Sequence, residues 1–470
     1  MKDESLCYLT LFEMSDLIRR RKVSPVEVLD AHLQRCERYN SSLNAFITIA
    51  HEAAMKDARI AQNDIIAGRY RGLLHGIPIG IKDIFDTRDM HTTYGSSFYR
   101  RYQPPEDAAA VALLRQHGAV VLGKCNTHEF AAGSTTNNPW YGAAHNPWDL
   151  ARSPGGSSGG SGAAVAAFLC PGATGTDTGG SIRNPAACNG VVGLKPTYGR
   201  VSLQGVYPLA YSLDHAGPLC RNARDCALLL QGMAGYVKSD PFSVQRPVPE
   251  FGRDLDGGVK SLRLGFCPDL HFTEVDEAVA AALEKAGLTL QEQGAALRTV
   301  LFPLKDIFQK TCRHLFHAEV VALHRERFAK SPEGYGEDVR TLLKEFSGVS
   351  VDAYVKACQD RQVLRRAMTD LFEDIDALLL PSAPCVAPFL DGTSHLNGKP
   401  VQFGAAGIPL RQPFNVVGLP AVSVPIGFSQ GLPLGMQIVG PAWEEGRILR
   451  ICHTYENATP ELRRRRPPNC

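Results

Sequence analysis

Three residues of this 470-residue chain could together perform nucleophilic chemistry: Lys82, Ser157 and Ser181. The two serines lie in glycine-dense segments, GGSSGGSG (155–162) and TGTDTGGSIRNPA (174–186). Such segments expose backbone N–H groups that suit a developing oxyanion. Lys82 ends the otherwise apolar segment GIPIGIK, and a lysine in a dry pocket loses its proton readily enough to serve as a base for a serine. The pattern therefore predicts a serine nucleophile activated by a lysine.

Each of these features also has a purely structural interpretation. Gly/Ser-rich segments can be flexible linkers, and a lone lysine at a strand end usually extends to water. The linker interpretation is disfavoured because apolar AAVAAFL (163–169) separates the two segments and DTGGSIRNP follows. We therefore interpret both segments as the floor of a catalytic site.

The segment Gly155–Gly159 also matches GxSxG, the nucleophile elbow of α/β-hydrolases. That motif requires a strand immediately before it, whereas DLARSP is turn-like. His453 is available as the base, although nothing around it is distinctive. This alternative is disfavoured.

Two further patterns resemble ligand sites. The sequence of Gly118–Cys125 resembles a phosphate-binding loop. However, it ends in Cys where that motif has a Ser or Thr that binds magnesium, and its middle favours a buried strand followed by a surface lysine, Lys124. His314, His317 and His324 share a helical pattern, but no further ligand completes a metal site. We expect no metal and no cofactor.

Composition predicts a globular cytoplasmic protein. Hydrophobic residues make up 44% and charged residues 21% of the chain, and the formal net charge is +2. This charge predicts neither nucleic acid nor membrane as a partner, and the run Arg463–Arg466 is interpreted as a solvated tail. The 13 cysteines show no CxxC, and no signal peptide or long apolar span is visible.

The elements that must position these residues alternate between helix and strand. Ser24–Glu27 is a capping box with Pro at the first helical position, and 75–87 indicates a buried strand with its exit loop. A helix over Glu106–Gln116 precedes the strand AVVLG. Polar, charged helical patterns occupy 235–375 and predict a helical cap. The segments LLLPSAPCVAP and FNVVGLPAVSVPIGF are expected to rejoin the first sheet.

GGSSGGSGAAVA, TGTDTGGSIRNPA and GIPIGIKD together resemble the amidase signature family, and the likeness continues through GVVGLKPTYGRVS and SLDHAGP to FNVVGLPAVSVPIGF. The resemblance implies one large α/β domain over 1–470, with a central twisted mixed β-sheet flanked by helices on both faces. We expect four parts: N-terminal helices (1–60), catalytic core (61–230), variable helical cap (235–375) and C-terminal strands rejoining the core sheet (376–460).

The resemblance implies a Ser–Ser–Lys triad. Ser181 would be the acylated nucleophile, Ser157 the bridging serine on a cis peptide, and Lys82 the base. Supporting roles are expected for Thr176, Asp177 and Arg183, the last two as an ion pair that could equally be purely structural. The oxyanion hole would be formed by the backbone N–H groups of Thr178, Gly179, Gly180 and Ser181.

Two functions follow from the resemblance. The favoured one is a stand-alone hydrolase that converts a small carboxamide or urea-type compound to a carboxylate plus ammonia or an amine, and a homodimer is compatible with it. The alternative is the glutaminase subunit of a tRNA-dependent amidotransferase. It is disfavoured because NPAACNG lacks the Gln expected after Arg183 and because 235–375 lacks a stretch that is Tyr-rich and also carries Arg-Arg. A third function, that of a non-catalytic binding protein, is disfavoured because it would require the triad to be kept without use.

The substrate pocket is expected to involve 235–375. The helix around His314–Arg327 and the loops near Phe403-Gly404 and Arg411-Gln412 are candidates to line it. Arg411 or His317 could bind a substrate carboxylate.

Overall fold

An eleven-stranded mixed sheet runs through the molecule. The computed structural model describes residues 4–267, 274–302 and 304–470. Within them the strands are Phe46–Ile49 (β1), Pro78–Lys82 (β2), Val120–Cys125 (β3), Asn137–Asn138 (β4), Gly142–Ala143 (β5), Gly172–Thr176 (β6), Val192–Lys195 (β7), Ala216–Cys220 (β8), Arg263–Phe266 (β9), Ala296–Thr299 (β10), Ala377–Pro381 (β11), Thr393–Leu396 (β12), Lys399–Gln402 (β13), Ala421–Ser429 (β14) and Leu432–Val439 (β15). The strand order of the large sheet is β1-β3-β2-β6-β8-β7-β14-β15-β11-β9-β10.

Helices flank this sheet, and the predicted α/β fold class is confirmed. The helices of the described residues are Ser5–Tyr8 (α1), Leu11–Arg19 (α2), Pro25–Leu43 (α3), His51–Ile66 (α4), Ala109–Gln116 (α5), Gly159–Ala166 (α6), Arg183–Asn189 (α7), Ala223–Met233 (α8), Glu277–Glu292 (α9), Lys305–Lys330 (α10), Glu337–Phe346 (α11), Val351–Asp374 (α12), Phe403–Arg411 (α13), Pro413–Val416 (α14), Glu445–Ala458 (α15) and Pro460–Arg464 (α16). None of these helices combines the length and the apolar character that crossing a membrane requires.

Local sequence explains where the first helices begin. The Ser24 hydroxyl accepts from the N–H of Glu27 at 3.1 Å, and the Glu27 carboxylate accepts from the N–H of Ser24 at 2.8 Å. Helix α3 therefore starts with the capping box that the sequence predicts, with Pro25 at its first position. Helix α2 starts with a second such box, formed by Thr10 and Glu13.

The buried strands β2 and β3 form the centre of the N-terminal half of the sheet. Every residue of both strands is buried, as their continuous apolar runs indicate. The prediction of a surface lysine after β3 is wrong, because Lys124 lies within the strand and is fully buried. Its Nζ donates to the Phe85 carbonyl at 2.5 Å and to the hydroxyls of Thr87 and Thr92, so it is a structural group and not part of a phosphate-binding loop.

The C-terminal strands lie inside the sheet and not beside it. Strand β14 pairs antiparallel with β7 on one side and with β15 on the other, and β15 continues to β11. Eleven strands drawn from residues 46 to 439 thus share one sheet, and one apolar cluster extends from Leu11 to Tyr455. This continuity explains why the chain forms one large domain.

The region 235–375 is not purely helical. Its long helices α9, α10 and α12 match the charged helical patterns, but Arg263–Phe266 and Ala296–Thr299 form parallel strands at the edge of the central sheet. The short segment RLGF carries no strand signal, because four residues have too little periodicity to be distinguished from a turn. Similarly, the expected loop near Phe403-Gly404 and Arg411 is helix α13.

Candidate active site

The ends of two neighbouring parallel strands bring the first two site residues together. Strands β2 and β6 pair through Ile79 with Gly172 and Gly80 with Ala173. Because parallel strands end at the same edge of a sheet, Lys82 at the end of β2 lies beside Thr176 at the end of β6. Nζ of Lys82 lies 2.7 Å from the Thr176 hydroxyl.

Ser157 lies above these strand ends, immediately before α6. Its hydroxyl accepts a hydrogen bond from Nζ of Lys82 at 2.8 Å, and its peptide bond with Gly156 is cis. The Ser157 carbonyl accepts from the His128 N–H at 3.2 Å and from the Thr127 hydroxyl at 3.0 Å. A side chain at Gly156 would come within 2.6 Å of the backbone of Thr135, so only glycine permits this approach. The loop therefore holds the serine in one position.

Lys82 is held in a dry environment. The side chains of Lys82 and Ser157 are both 0% exposed. Burial lowers the pKa of Lys82 well below its ordinary value of 10.5, against the opposing charges of Asp177 and Asp214. This lysine therefore becomes the neutral amine required of a base at a lower pH than an exposed lysine does.

An ion pair anchors the loop that follows β6. The carboxylate of Asp177 accepts from Arg183 twice, with Nη2 at 2.8 Å and Nε at 3.0 Å, and both side chains are fully buried. Arg183 also donates to the side-chain oxygens of Asn415 at 2.7 Å and Gln437 at 2.8 Å. The expected Asp177–Arg183 pair is therefore present, within a network that reaches two C-terminal segments.

The same carboxylate also binds the backbone of the loop. Burial alone would raise the pKa of Asp177, but the Arg183 charge and hydrogen bonds hold it far below its usual range. The permanently charged group accepts from the N–H of Gly180 at 2.9 Å and of Ile182 at 3.1 Å. Asp177 thus fixes the backbone on both sides of Ser181.

These contacts decide which N–H groups remain available around Ser181. The Gly180 N–H already donates to Asp177, so it cannot also face a substrate oxygen. Across the described residues, no acceptor is found for the N–H groups of Thr178, Gly179 and Ser181. Three of the four predicted oxyanion donors are therefore free.

Ser181 is partly exposed, whereas the residues directly before and after it are buried. Ser181 and Gly179 are partly exposed, while Gly180 and Ile182 are buried. Gly180 has a φ of +120°, and a Cβ there would lie 2.2 Å from Nε of Arg411. The Ser181 carbonyl accepts from the N–H of Ser158 at 3.3 Å, which joins the two serine loops.

Asp214 is a further buried carboxyl group next to this loop. It accepts from the Thr178 hydroxyl at 2.6 Å and from the N–H of Leu209 at 2.8 Å. Burial raises the pKa of Asp214 to about 6. Asp214 therefore fixes the position of Thr178, one of the three residues with a free N–H.

A cleft of about 450 Å³ opens beside the serine loops. Ser134 and Thr135 line it, and both abut Gly156. On its other side lies Asp338 of α11, whose carboxylate is 2.6 Å from Nε2 of His128. Part of the helical region 305–374 therefore closes over the catalytic core here.

The other candidates of the sequence lie outside this constellation. His453 is held on α15 by Asp256 at 3.1 Å, and none of the described strands ends immediately before Gly155, so the GxSxG interpretation is not supported. His317 stacks on Phe346 with ring centroids 3.5 Å apart. Burial and the Arg313 charge lower the pKa of His317 to about 4, so it is uncharged at neutral pH and cannot attract a carboxylate.

Arg411 is also unsuited to contact a substrate directly. It is 1% exposed, and its Nη1 donates to the Ser382 carbonyl at 2.5 Å. Within the described part of the chain, no three His, Cys, Asp or Glu side chains are arranged to hold a metal ion.

Comparison with known proteins identifies the family. The model of the family described as Amidase matches residues 27–449, so the chain belongs to the amidase family, the amidase signature family that its motifs resemble. A full-length relative is one of the subunits of the glutamyl-tRNA(Gln) amidotransferase of Methylococcus capsulatus, 41% identical over 96% of this chain and 97% of its own.

Two solved structures are similar over nearly the whole chain. One is described as a vestigial protein complex that reveals the evolutionary origins of an s-triazine catabolic enzyme, with a TM-score of 0.91 and 32% identity over 96% of this chain and 98% of that one. The other is the corresponding glutamyl-tRNA(Gln) amidotransferase subunit of Thermotoga maritima, with a TM-score of 0.81 and 30% identity over 97% and 96%.

The names of these relatives overturn one expectation. The sequence predicts no nucleic-acid partner, but these relatives are named as subunits of glutamyl-tRNA(Gln) amidotransferases. The prediction failed because it rested on a net charge of +2. Net charge averages over local patches, and it carries no information about what the other subunits of an assembly bind.

Proposed function

We propose that this chain breaks the C–N bond of a carboxamide through an acyl-enzyme on Ser181. The observation that carries the proposal is the hydrogen bond from buried Lys82 to buried Ser157, at 2.8 Å, next to the partly exposed Ser181. A serine needs a base to become a nucleophile, and a desolvated lysine can be that base. The accessible serine is then the one that meets the substrate.

The proton moves along the three side chains in this proposal. Neutral Lys82 accepts the proton of Ser157, and Ser157 accepts the proton of Ser181 as Ser181 Oγ attacks the amide carbon. The relay then reverses and delivers a proton to the leaving nitrogen as the C–N bond breaks. Thr176, whose hydroxyl lies 2.7 Å from Nζ of Lys82, orients the amine. Water then hydrolyses the acyl-enzyme.

The oxyanion of the tetrahedral intermediate is stabilised by backbone donors. We assign this role to the N–H groups of Thr178, Gly179 and Ser181 and give Gly180 a geometric role instead, because its N–H is occupied. Asp177 and Arg183 act as positioning residues, since they fix the loop that carries these donors.

For the biological setting we propose the amidotransferase form, in which this chain is the glutaminase subunit that releases ammonia from glutamine inside a larger enzyme. Its support is the full-length identity of 41% with a relative named as one subunit of glutamyl-tRNA(Gln) amidotransferase. In this form the amide donor reaches Ser181 from the side where Gly179 and Ser181 are partly exposed, and other subunits complete the reaction.

A stand-alone hydrolase of small amides is the second candidate. The observation in its favour is the TM-score of 0.88, at 26% identity, with a structure described as a bacterial aryl acylamidase, against 0.81 with the amidotransferase subunit of Thermotoga maritima. The chemistry on Ser181 is the same in both candidates. They differ in the amide and in the need for partner subunits.

Ammonia release separates the candidates. The purified chain is incubated with glutamine or with a set of simple aliphatic and aryl amides, alone and after co-expression with amidotransferase partner subunits, with Ser181→Ala as the blank. Glutamine turnover that requires the partners supports the amidotransferase form, whereas turnover of simple amides by the chain alone supports the second candidate. Turnover that persists in Ser181→Ala would contradict the acyl-enzyme in both.

A further inference from the structure

A cavity of about 550 Å³ lies away from the serine loops, between the two ends of the chain. Its volume falls within the range of about 300–1,000 Å³ that small-molecule sites occupy. The segment Arg463–Arg466 forms one wall, and Arg221 lies on another. These four consecutive arginines follow the last residue of the family match, 449, so this wall is a feature of this chain and not of the matched family segment.

The C-terminal segment packs against the rest of the molecule, although Arg463–Arg466 are exposed to solvent as the interpretation of a solvated tail expects. Helix α16 ends at Arg464, and Pro467 is buried. The side-chain amide of Asn469 donates to the Pro147 carbonyl at 3.0 Å. The arginines therefore border the cavity in a defined arrangement.

Three of the cavity's guanidinium groups lie over the faces of aromatic rings. Arg466 lies 3.8 Å from the ring centroid of Tyr8, Arg465 lies 4.4 Å from Phe428, and Arg221 lies 4.9 Å from Phe168. Stacking occupies the planar face of a guanidinium and leaves the N–H groups at its edge available for acceptors. Rings at these positions therefore orient the arginines without neutralising them.

In the described residues no carboxylate lies within ion-pair distance of these guanidinium groups, although the charge of buried Asp225 acts on Arg221 from farther away. Among the ion pairs of the described residues, none involves Arg221 or the segment Arg463–Arg466. Nη1 of Arg221 is buried without a hydrogen-bond partner in the described structure. Among the described residues that line the cavity, Glu456 is the one acidic residue, and burial raises its pKa to about 8, so it is mostly uncharged at neutral pH.

A cavity with five arginines, an unpartnered buried N–H group and no charged carboxylate at neutral pH is matched to a multiply charged anion with several acceptor oxygens. Phosphate groups meet this description, because they accept from guanidinium groups in bidentate geometry. We propose that this cavity binds a phosphate-bearing ligand, either a free nucleotide-sized compound or the phosphate backbone of an RNA.

Calorimetric titration with inorganic pyrophosphate tests the proposal on the full chain in a phosphate-free buffer. The test variant is Arg465→Gln/Arg466→Gln, which changes two exposed side chains and is checked for folding by circular dichroism. The control is Arg101→Gln, an exposed arginine outside the cavity. Saturable 1:1 binding is expected, weakened about tenfold or more in the double variant and unchanged in the control.

Competition with a short single-stranded RNA then distinguishes the two sources. Displacement of pyrophosphate assigns the cavity to an RNA backbone, and retention of pyrophosphate assigns it to a free ligand. Absence of saturable binding, or equal affinity in all three proteins, would overturn the proposal. Labelling of Ser181 by a sulfonyl fluoride should remain unchanged in the double variant, so a failure here is distinguishable from a failure of the proposed function.

Discussion

Nζ of Lys82 donates to the hydroxyl of Ser157 at 2.8 Å, and neither side chain is exposed to solvent. A charged lysine buried with only hydroxyl partners would carry a large desolvation cost, and the depressed pKa of Lys82 removes much of that cost by favouring the neutral amine. This one relationship makes a base of a residue that is ordinarily an acid.

Removing or changing the base should stop the activation of Ser181. We expect Lys82→Ala and Lys82→Arg each to lower the rate of Ser181 labelling by a sulfonyl fluoride by about 10²–10⁴-fold, the contribution typical of a general base. Arginine should not rescue the rate, because a guanidinium stays protonated. The measurement is labelling kinetics by mass spectrometry, with His453→Ala as the control that keeps the wild-type rate. A wild-type rate in Lys82→Ala would disprove the relay.

Labelling in the wild type should also rise with pH. Only neutral Lys82 accepts a proton, so the rate should increase as the pH passes the depressed pKa of Lys82 and then level off below 10.5. The rise should be absent in Lys82→Ala. A rate that is flat from about pH 5 to about pH 9 in the wild type would argue against lysine as the base.

The buried lysine should also make stability depend on pH. Its folded-state pKa lies below the ordinary 10.5, so between these two values the unfolded chain binds more protons than the folded one. The contribution of Lys82 to the free energy of unfolding should therefore increase with pH in this window. Buried Lys195 and Lys124 have lowered pKa values as well, so Lys82→Met should reduce the slope without abolishing it. Urea unfolding at several pH values up to about 10 measures this, and an unchanged slope in Lys82→Met would contradict it.

The two serines should differ in their reaction with a sulfonyl fluoride. Ser181 is partly exposed and Ser157 is fully buried, so a single adduct on Ser181 is expected. Peptide mass mapping locates the adduct, and Ser181→Ala should carry none. An adduct on Ser157 in the wild type would reverse the proposed roles of the two serines.

Breaking the buried ion pair beneath the oxyanion loop should affect both stability and labelling. Asp177→Asn leaves Arg183 buried without its charge partner, which should lower the free energy of unfolding by about 3–5 kcal/mol. Glu445→Gln is the matched control, because Glu445 pairs with Arg200 in a comparably buried site. Both variants should lose stability, but only Asp177→Asn should slow labelling of Ser181. Equal labelling in the two variants would reduce Asp177 to a purely structural role.

The two glycines before the nucleophile offer a second matched pair. A Cβ at Gly180 would lie 2.2 Å from Arg411 and the backbone there has a φ of +120°, whereas the nearest neighbour of a Cβ at Gly179 is Gln412 at 3.5 Å. Gly180→Ala should therefore destabilise the protein by about 1–3 kcal/mol from backbone strain alone. Gly179→Ala should fold like the wild type. Thermal unfolding of both variants measures the difference, and equal stabilities would contradict the geometry.

Short segments made the centre of this site predictable. Lys82, Ser157 and Ser181 each lie in a motif of a few residues, and the buried strands β2 and β3 follow from continuous apolar runs. Parallel pairing of β2 with β6 then explains why Lys82 and Thr176 meet.

The groups that support the site were not predictable in this way. Asn415 contacts Asp177 across 238 positions, and Gln437 contacts Arg183 across 254. No local pattern encodes pairs so distant. The hydrogen bond from the Gly180 N–H to Asp177 was not predictable either, because it depends on how the loop folds back on itself. Likewise, the burial of Lys124 depends on three oxygen acceptors from another segment.

The position of β14 and β15 in the middle of the sheet has a consequence for how the protein is made. A ribosome releases these two strands after the other nine strands of the large sheet, yet they separate β7 from β11 and supply neighbours on both sides. Until residue 439 has emerged, the nascent chain therefore holds two unpaired strand edges and an Arg183 without Gln437. Catalytic competence should appear only after residue 439 has emerged, and any truncation before this hairpin should yield an aggregating chain and not a smaller enzyme.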